Sequence, residues 1–224
     1  MAVTIAASGP IVPTVEVRPD FAGCVAGAAV IAVDMPIGLP ERTLAGGRGP
    51  ERLVRRHLGE RQSSVFTLPS RAAVHAIDYR EACAIALATS EPPRKVSKQA
   101  FFLFPKIREI DALMRADPTL ADRVFEVHPE LAFWRINGET AMALPKKVKS
   151  IVQGSGLAER RAVLIAQGYP AAFLDTVPRG AAADDLLDAA VNALVARRLY
   201  AGTARPFPDP PLRDAFGLRV AIWA

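Results

Sequence analysis

Acidic residues occupy positions in this sequence where apolar neighbours make a carboxylate costly. Asp34 ends the apolar run at 30–33, Glu126 lies inside the apolar run at 124–127, and Asp188 follows the start of a helical pattern. A carboxylate that loses its hydration normally persists only when it is paired, hydrogen-bonded or bound to a cation. If the fold brings these acids together, their oxygens would form a site suited to Mg²⁺ or Mn²⁺.

A group of carboxylates of this kind would suit the hydrolysis of a phosphodiester. Two divalent ions roughly 3.5–4 Å apart need several acids to hold them, and they then activate water and stabilise the leaving oxygen. The acids predicted to bind metal are Asp34, Glu126 and Asp188, and one of Asp184 and Asp185 completes the catalytic group. The residues that could clamp the phosphate are Arg61, Lys98, Lys106, Lys146 and Lys147.

The two strand acids also have structural interpretations. Asp34 could bond the backbone of the turn at 36–38. Glu126 could lie on the polar outer face of an edge strand, and His128 would share that face because it is two residues further along. A single histidine is unusual in a set of carboxylate ligands, so we expect His128 to position the substrate.

The acids of the last helix differ in what a structural role explains. Asp184 and Asp185 lie at its start, where compensation of the helix dipole is worth about 0.3–1 kcal/mol. Asp188 lies a full turn further in, close to the apolar stripe of Val191 and Val195. Dipole compensation does not extend to that position, so Asp188 is the strongest site candidate on this helix.

The composition is that of a globular protein with a basic segment. Of 224 residues, 50% are hydrophobic and 23% charged, and the net charge is +5. Residues 41–110 carry an excess of arginine and lysine, which would suit nucleic acid as a partner or form an ordinary solvated surface. The longest uncharged stretch, residues 21–33, is too short to span a bilayer, and no signal peptide is evident. We therefore expect a cytoplasmic protein that is not inserted in a membrane.

Strands alternating with helices predict an α/β fold. The apolar run at 30–34 is typical of a strand buried on both faces of a parallel sheet, and ligands bind beyond the carboxyl ends of such strands. The chain contains no GxxxxGK[ST], GxSxG, CxxC or HExxH motif. The predicted strands are 3–6, 14–17, 30–34 and 123–128, and the main helices are 51–58, 78–89, 97–114, 159–167 and 184–200, followed by a proline-rich tail with an apolar end at 220–223.

Several segments together resemble a known bacterial family. They are IAVDMPIGLP at 31–40, RQSSVF at 61–66, SKQ at 97–99, PKIREID at 105–111, EVHPE at 126–130, DDLLDA at 184–189 and AIW at 221–223. The family is domain of unknown function 429, whose members are predicted nucleases of RNase H-like fold. The resemblance implies one domain over 1–224, with a mixed sheet flanked by helices and a largely helical insertion at about 39–118. It implies a site of Asp34, Glu126, Asp185 and Asp188, and an insertion that supplies Arg61, Ser63, Ser64, Lys98, Lys106 and Glu109.

Two departures from the family pattern affect the expected activity. Family members begin with a strand of the form GVDGCxxGW, whereas residues 1–5 here resemble the second strand. The first central strand is therefore expected to be missing, which implies a longer natural protein or an impaired one. Leu157 also stands where the family pattern leads us to expect a basic residue. The hypotheses are a metal-dependent nuclease, a non-catalytic protein that binds nucleic acid or another protein, and a hydrolase of free nucleotides.

Overall fold

The computed structural model describes residues 1–149 and 151–224. Short strands alternate with helices, which confirms the predicted α/β class. The strands are β1 (Ala2–Thr4), β2 (Thr14–Glu16), β3 (Ile31–Val33), β4 (Thr43–Leu44), β5 (Ser90–Glu91), β6 (Val124–Glu126), β7 (Lys147–Val148), β8 (Ile151–Val152), β9 (Pro206–Arg213) and β10 (Arg219–Trp223). The helices are α1 (Pro50–Arg55), α2 (Arg71–His75), α3 (Tyr79–Thr89), α4 (Lys98–Ala116), α5 (Pro118–Arg123), α6 (Pro129–Ile136), α7 (Gly154–Ala166), α8 (Ala171–Leu174) and α9 (Ala183–Tyr200), with short 3₁₀ helices at Ala22–Cys24 and Gly59–Ser64.

The centre of the fold is a parallel pair of strands, β3 and β6. Val33 lies opposite Glu126, so the carboxyl ends of both strands reach the same edge. A parallel bridge between Val127 and Trp223 then joins β6 to β10, whose antiparallel partner is β9. The hairpin of β1 and β2 forms a separate small sheet.

Helix α9 packs against two of these strands, β1 and β3. It also contacts α6 and α7. Leu186, Val191 and Val195 of α9 are fully buried, which agrees with a helix covered on most of its sides. None of the described helices combines the length and the apolar character that crossing a bilayer requires.

Strand β3 is less covered than its sequence predicts. Ile31, Ala32 and Val33 are each only half-buried, although the apolar run was expected to be covered on both faces. The reason is that β3 pairs with β6 on one side, while its other side opens on a cleft that separates it from β1. The parallel pairing of β3 is as predicted. The prediction that β3 is buried on both faces was wrong.

The segment from 39 to 118 packs around an apolar cluster of its own. Leu68, Phe104 and Ile107 belong to this cluster and are fully buried. Ser97 caps α4 as predicted, because its hydroxyl accepts a hydrogen bond from the backbone of Ala100 at 3.2 Å. The segment is largely helical, which is the character expected of the insertion.

A buried ion-pair network ties this segment to the hairpin of β9 and β10. Arg71 donates to Asp111 and to Asp214, each at 2.6 Å, and both carboxylates are almost fully buried. Arg71 also lies over the ring of Phe216 at 4.5 Å. Arg71 and Asp214 are 143 residues apart in the sequence. Their ion pair therefore fixes the insertion against the C-terminal hairpin.

The turn after β3 depends on a glycine. Gly38 has φ +75°, and a Cβ atom there would lie 2.5 Å from a methyl group of Val220 and 3.1 Å from the carbonyl oxygen of Arg219. Only glycine combines that backbone angle with such a close approach. The turn is also held by the backbone amide of Ile37, which donates to Glu126 at 2.7 Å. These contacts fix the direction in which the chain leaves Asp34.

Candidate functional site

A cleft of about 450 Å³ lies beyond the carboxyl ends of β3 and β6. We call it the site cleft. It is bounded by the turn after β3, the 3₁₀ helix Gly59–Ser64, the start of α6 and the segment before β7. The predicted site residues that line it are Asp34, Arg61, Ser63, Ser64, Glu126, His128 and Lys146.

Asp34 and Lys146 line this cleft, and Asp188 lies beside it as the partner of Lys146; the three residues form the charged centre. Lys146 Nζ donates to Asp188 Oδ2, and the two side chains are 22% and 16% exposed. Asp34 keeps exposed surface and interacts electrostatically with both of them. The residues come from the end of β3, the segment before β7 and the second turn of α9, so the fold joins three distant parts of the chain.

The surroundings of Asp34 raise its pKa to about 7, from an ordinary value of 3.8. The first cause is the surrounding protein, which disfavours the charged form, and the second is the negative charge of Asp188. Lys146 opposes both effects. Because Asp34 also reaches solvent, water offsets part of the burial effect. The direction of the shift stands, and the pKa of the carboxyl lies above its ordinary value.

Two carboxylate oxygens beside this centre have no hydrogen-bond partner among residues 1–149 and 151–224. They are Oδ1 of Asp188 and Oδ1 of Asp184, and both atoms are buried. The second oxygen of each residue is paired with a lysine, since Lys147 Nζ lies 2.5 Å from Asp184 Oδ2. An unpaired buried oxygen is costly and favours a cation or a hydrogen-bond donor nearby.

The donor set fits one Mg²⁺ or Mn²⁺ ion better than two. Asp34 and the free oxygen of Asp188 would supply two carboxylates, and Mg²⁺ is commonly held by one or two carboxylates with water and substrate phosphates. Within residues 1–149 and 151–224, no three or more of the histidine, cysteine, aspartate and glutamate side chains are grouped closely enough to hold a metal ion. A pair of bridged ions would need more acids than this.

Glu126, predicted as a third metal ligand, is bound by an arginine. Arg48 donates to both of its oxygens, at 2.6 and 3.1 Å, and also to Glu51 at 2.6 Å. The side chains of all three residues are at least 94% buried, and Ile37 donates a further bond to Glu126. Glu126 therefore holds the turn that follows Asp34. Its two carboxylate oxygens are occupied by Arg48 and by the backbone amide of Ile37.

Glu130 has a similar partner. Arg160 is completely buried and donates to both Glu130 oxygens, at 2.7 and 2.8 Å. Neither Arg48 nor Arg160 lies in a motif with chemical meaning, so the sequence alone does not point to them. A buried arginine is recognisable only once its carboxylate is known to lie opposite. Within the described residues, Asp34 and Asp188 have no arginine partner, and Asp188 is paired with Lys146.

His128 faces the site cleft as a neutral ring. Burial lowers its pKa to about 4, so it carries no charge at neutral pH. Its Nε2 lies 3.4 Å from the carbonyl oxygen of Ser64, and its buried Nδ1 has no hydrogen-bond partner among the residues that the structure describes. The ring contacts the segment that carries Ser63 and Ser64, which suits a positioning role.

Four other predicted residues remain, and three of them, Asp185, Lys106 and Glu109, line a second cleft together with Asp34 and Asp188. Asp185 is exposed and accepts a hydrogen bond from the backbone of Ala182 at 3.1 Å, so it caps α9. Glu109 accepts a bond from the backbone of Phe21. Lys98 is exposed at the start of α4 and lines neither cleft.

A glycine positions the lysine of the charged centre. A Cβ atom on Gly156 would lie 2.0 Å from the carbonyl oxygen of Pro145 and 2.9 Å from the backbone nitrogen of Lys146. The start of α7 thus packs directly on the backbone that carries Lys146. We expect Gly156→Ala to move this segment and to lower the Tm by about 4 °C or more, as for overpacking in a core. Thermal unfolding, with Gly154→Ala as the control at an open position, would test this; equal Tm values would contradict it.

Comparison with known proteins places the chain in a family whose function is undefined. Searches of curated proteins and of solved structures found no match. One family model does match, and it covers residues 2–213, which is nearly the whole chain. The chain therefore belongs to the family described as protein of unknown function (DUF429).

Proposed function

We propose that this protein is a metal-dependent nuclease of RNase H-like fold that hydrolyses phosphodiesters at the site cleft. The observation that supports the proposal is that Asp34, which follows β3, and Asp188 of α9 line one cleft and are close enough to interact electrostatically. In the part of the chain that the structure describes, arginines pair with Glu126 and Glu130 but not with these two acids, of which Asp188 is paired with Lys146. Like charges placed together in this way favour a divalent cation between them.

Asp34 and Asp188 would hold the Mg²⁺ or Mn²⁺ ion. When bound, the ion would neutralise charge on the phosphate and lower the pKa of water. Lys146 is placed to move from Asp188 to a phosphate oxygen, because its ammonium group already lies at the edge of the cleft. Arg61, Ser63 and Ser64 line the same cleft, where they would bind the phosphate backbone.

Cleavage of defined oligonucleotides tests this function directly. We expect labelled single- and double-stranded DNA and RNA to be cut with millimolar Mn²⁺ and to stay intact with a chelator. The protein should release no phosphate from free nucleotides under the same conditions. Hydrolysis of free nucleotides in place of oligonucleotides would support the nucleotide hydrolase instead, and no hydrolysis of either substrate would count against catalysis.

The Tm of the metal-free protein is expected to fall as the pH rises from 6.5 to 8. Asp34 has a folded pKa of about 7 and an ordinary value of 3.8, so the folded state binds more protons than the unfolded state in this window. Stability therefore decreases as Asp34 ionises. His128 has the opposite effect, because its pKa falls from an ordinary 6.5 to about 4 on folding and only the unfolded ring binds a proton in the lower part of this window; it offsets part of the Asp34 contribution and does not reverse it.

Mn²⁺ should reverse this trend, because it binds the ionised carboxylates. Its stabilising effect should be greater at pH 8 than at pH 6.5. Differential scanning fluorimetry of the protein and of Asp34→Asn checks both statements, since the variant should lose the metal effect and have a flatter pH profile. A Tm that rises with pH in the metal-free protein would contradict this prediction.

A second candidate function is that of a non-catalytic nucleic-acid-binding protein. It is favoured by the Lys146–Asp188 ion pair, in which an ammonium group already balances one of the two acids. The basic segment at 41–110 would then supply the binding surface. This candidate predicts salt-sensitive binding that survives Asp34→Asn together with Asp188→Asn, with no cleavage under any metal condition.

A further inference from the structure

Helix α4 carries one aromatic side chain that points into solvent. Phe102 is 75% exposed, whereas its neighbours Phe101 and Phe104 pack in the apolar cluster of the 39–118 segment. A single exposed apolar residue is common on protein surfaces and by itself indicates no ligand. What distinguishes Phe102 is the charge on either side of it and its place beside the site cleft.

Lysines flank Phe102 one helical turn away on either side. Lys98 and Lys106 are four residues before and after it, so the three side chains form one stripe along α4, which we call the α4 face. Both lysines are exposed, and residues 98–108 contain no acid. In the part of the chain that the structure describes, the lysines found in ion pairs are Lys146 and Lys147. The α4 face therefore presents two uncompensated positive charges, about 12 Å apart along the helix axis, with the ring between them.

The α4 face adjoins the site cleft. Gln99 and Leu103, which directly follow Lys98 and Phe102 in the sequence, line that cleft. Lys106 lines the second cleft, which shares Asp34 with the site cleft. A polymer that extends from the site cleft across α4 would therefore contact the ring of Phe102.

We propose that the α4 face binds single-stranded nucleic acid, with one unpaired base stacked on the ring of Phe102 and the neighbouring phosphates on Lys98 and Lys106. An aromatic ring can stack on any base whose face is free, and lysines attract phosphates whatever the base sequence. In a duplex, both faces of an internal base are covered by its neighbours, so such a base cannot stack on the ring. The inference rests on the proposed function in taking nucleic acid as the ligand, and it adds that the preferred substrate is single-stranded.

Charge complementarity favours nucleic acid over a protein on this surface. A stable interface with a second copy or another protein would bury about 800 Å² on each partner. The α4 face offers one ring and would place two strongly hydrated ammonium groups in that interface. Nucleic acid uses both lysines, because they replace counterions of its phosphates.

Fluorescence anisotropy of a labelled single strand of about 12 nucleotides, with a chelator present, measures binding without cleavage. We expect Phe102→Ala to raise the Kd by roughly tenfold. Phe102→Trp should preserve the affinity, whereas Phe102→Leu should resemble the alanine variant, because leucine is apolar but has no aromatic face. Binding of a fully paired duplex should change by no more than about twofold in all three variants. Their Tm values should equal that of the unmodified protein, since Phe102 is exposed.

The salt dependence of binding separates the ring from the lysines. Lys98→Gln and Lys106→Gln should each reduce the slope of log K against log salt by about 0.7, the value for one phosphate of a single strand. Phe102→Ala should leave the slope unchanged, because stacking displaces no counterions. Ile77→Ala is the matched control, since Ile77 is 83% exposed and lines neither cleft, and it should leave the Kd unchanged.

The outcomes for Phe102 decide the proposal independently of catalysis. An unchanged Kd for Phe102→Ala, full binding by Phe102→Leu, or no binding of single strands by the unmodified protein would overturn it. A molecular mass in solution that falls when Phe102 is replaced would overturn it too, because the ring would then be covered by a second copy. Binding as expected without cleavage in Mn²⁺ would contradict the nuclease function and support this inference. Cleavage of single and double strands at equal rates that Phe102→Ala does not alter would do the reverse.

Discussion

Asp34→Asn is expected to lower Mn²⁺-dependent cleavage of an oligonucleotide by about 10³-fold. Loss of a carboxylate that holds the ion removes transition-state stabilisation of several kcal/mol, and each 1.36 kcal/mol corresponds to a factor of ten in rate. The variant should stay folded, because Asp34 is exposed and is repelled by Asp188. Initial rates at saturating Mn²⁺, together with thermal unfolding, provide the measurement.

Asp175→Asn is the matched control for this variant. Asp175 is an aspartate on the surface, paired with Arg161, and it lies in neither cleft. Its replacement should leave cleavage within about twofold of the starting rate, as expected for a surface position. Equal rates for Asp34→Asn and the unmodified protein would remove Asp34 from the mechanism.

Arg48→Met is expected to cause the largest loss of stability, about 3–5 kcal/mol in the free energy of unfolding. Arg48 is buried between Glu51 and Glu126, and methionine would leave two carboxylates without a cation. It would also remove the bonds that Arg48 donates to the backbone at Ile37 and Gly38, which shape the turn after Asp34. Urea unfolding followed by circular dichroism would measure the difference.

A surface pair gives the comparison for this prediction. Arg161→Met removes an ion pair with Asp175 whose side chains are 34% and 57% exposed. Pairs of this kind contribute about 0–1 kcal/mol. A loss for Arg48→Met no larger than that for Arg161→Met would show that the buried pair does not hold the turn.

The elements that the sequence predicts well are those with strong local signals. Residues 184–200 were expected to be helical and form Ala183–Tyr200, because apolar residues recur at helical spacing. The strand predicted at 30–34 forms Ile31–Val33. Ser97, predicted as an N-cap, caps helix α4. Each of these signals depends only on residues that are close in the sequence. The element can therefore be predicted without knowledge of the tertiary contacts.

The C-terminal hairpin shows where local reasoning fails. Pro206, Pro208, Pro210 and Pro211 gave the region the character of a proline-rich tail, yet it forms strand β9. Proline is compatible with an edge strand, where a missing N–H costs no ladder bond. β9 pairs with β10 on one side, and that pairing cannot be read from the composition of the segment.

The sequence predicts which types of residue the candidate site contains. It does not predict which of its acids are paired with an arginine. Asp34 and Asp188 were singled out because each lies beside apolar residues, and the fold brings them close enough to interact. The same reasoning selected Glu126, which Arg48 binds. Arg48 lies in a glycine-rich loop without periodicity, so no local pattern predicts where its side chain points.

Counting bound Mn²⁺ by electron paramagnetic resonance tests the central claim most directly. Titration of the protein at pH 8 should show one bound ion per chain, held by Asp34 and Asp188. The double variant Asp34→Asn/Asp188→Asn, verified as folded, should leave all added Mn²⁺ free at the same concentrations. Binding of Mn²⁺ by the double variant as strong as that by the unmodified protein, or no binding by either, would contradict the account.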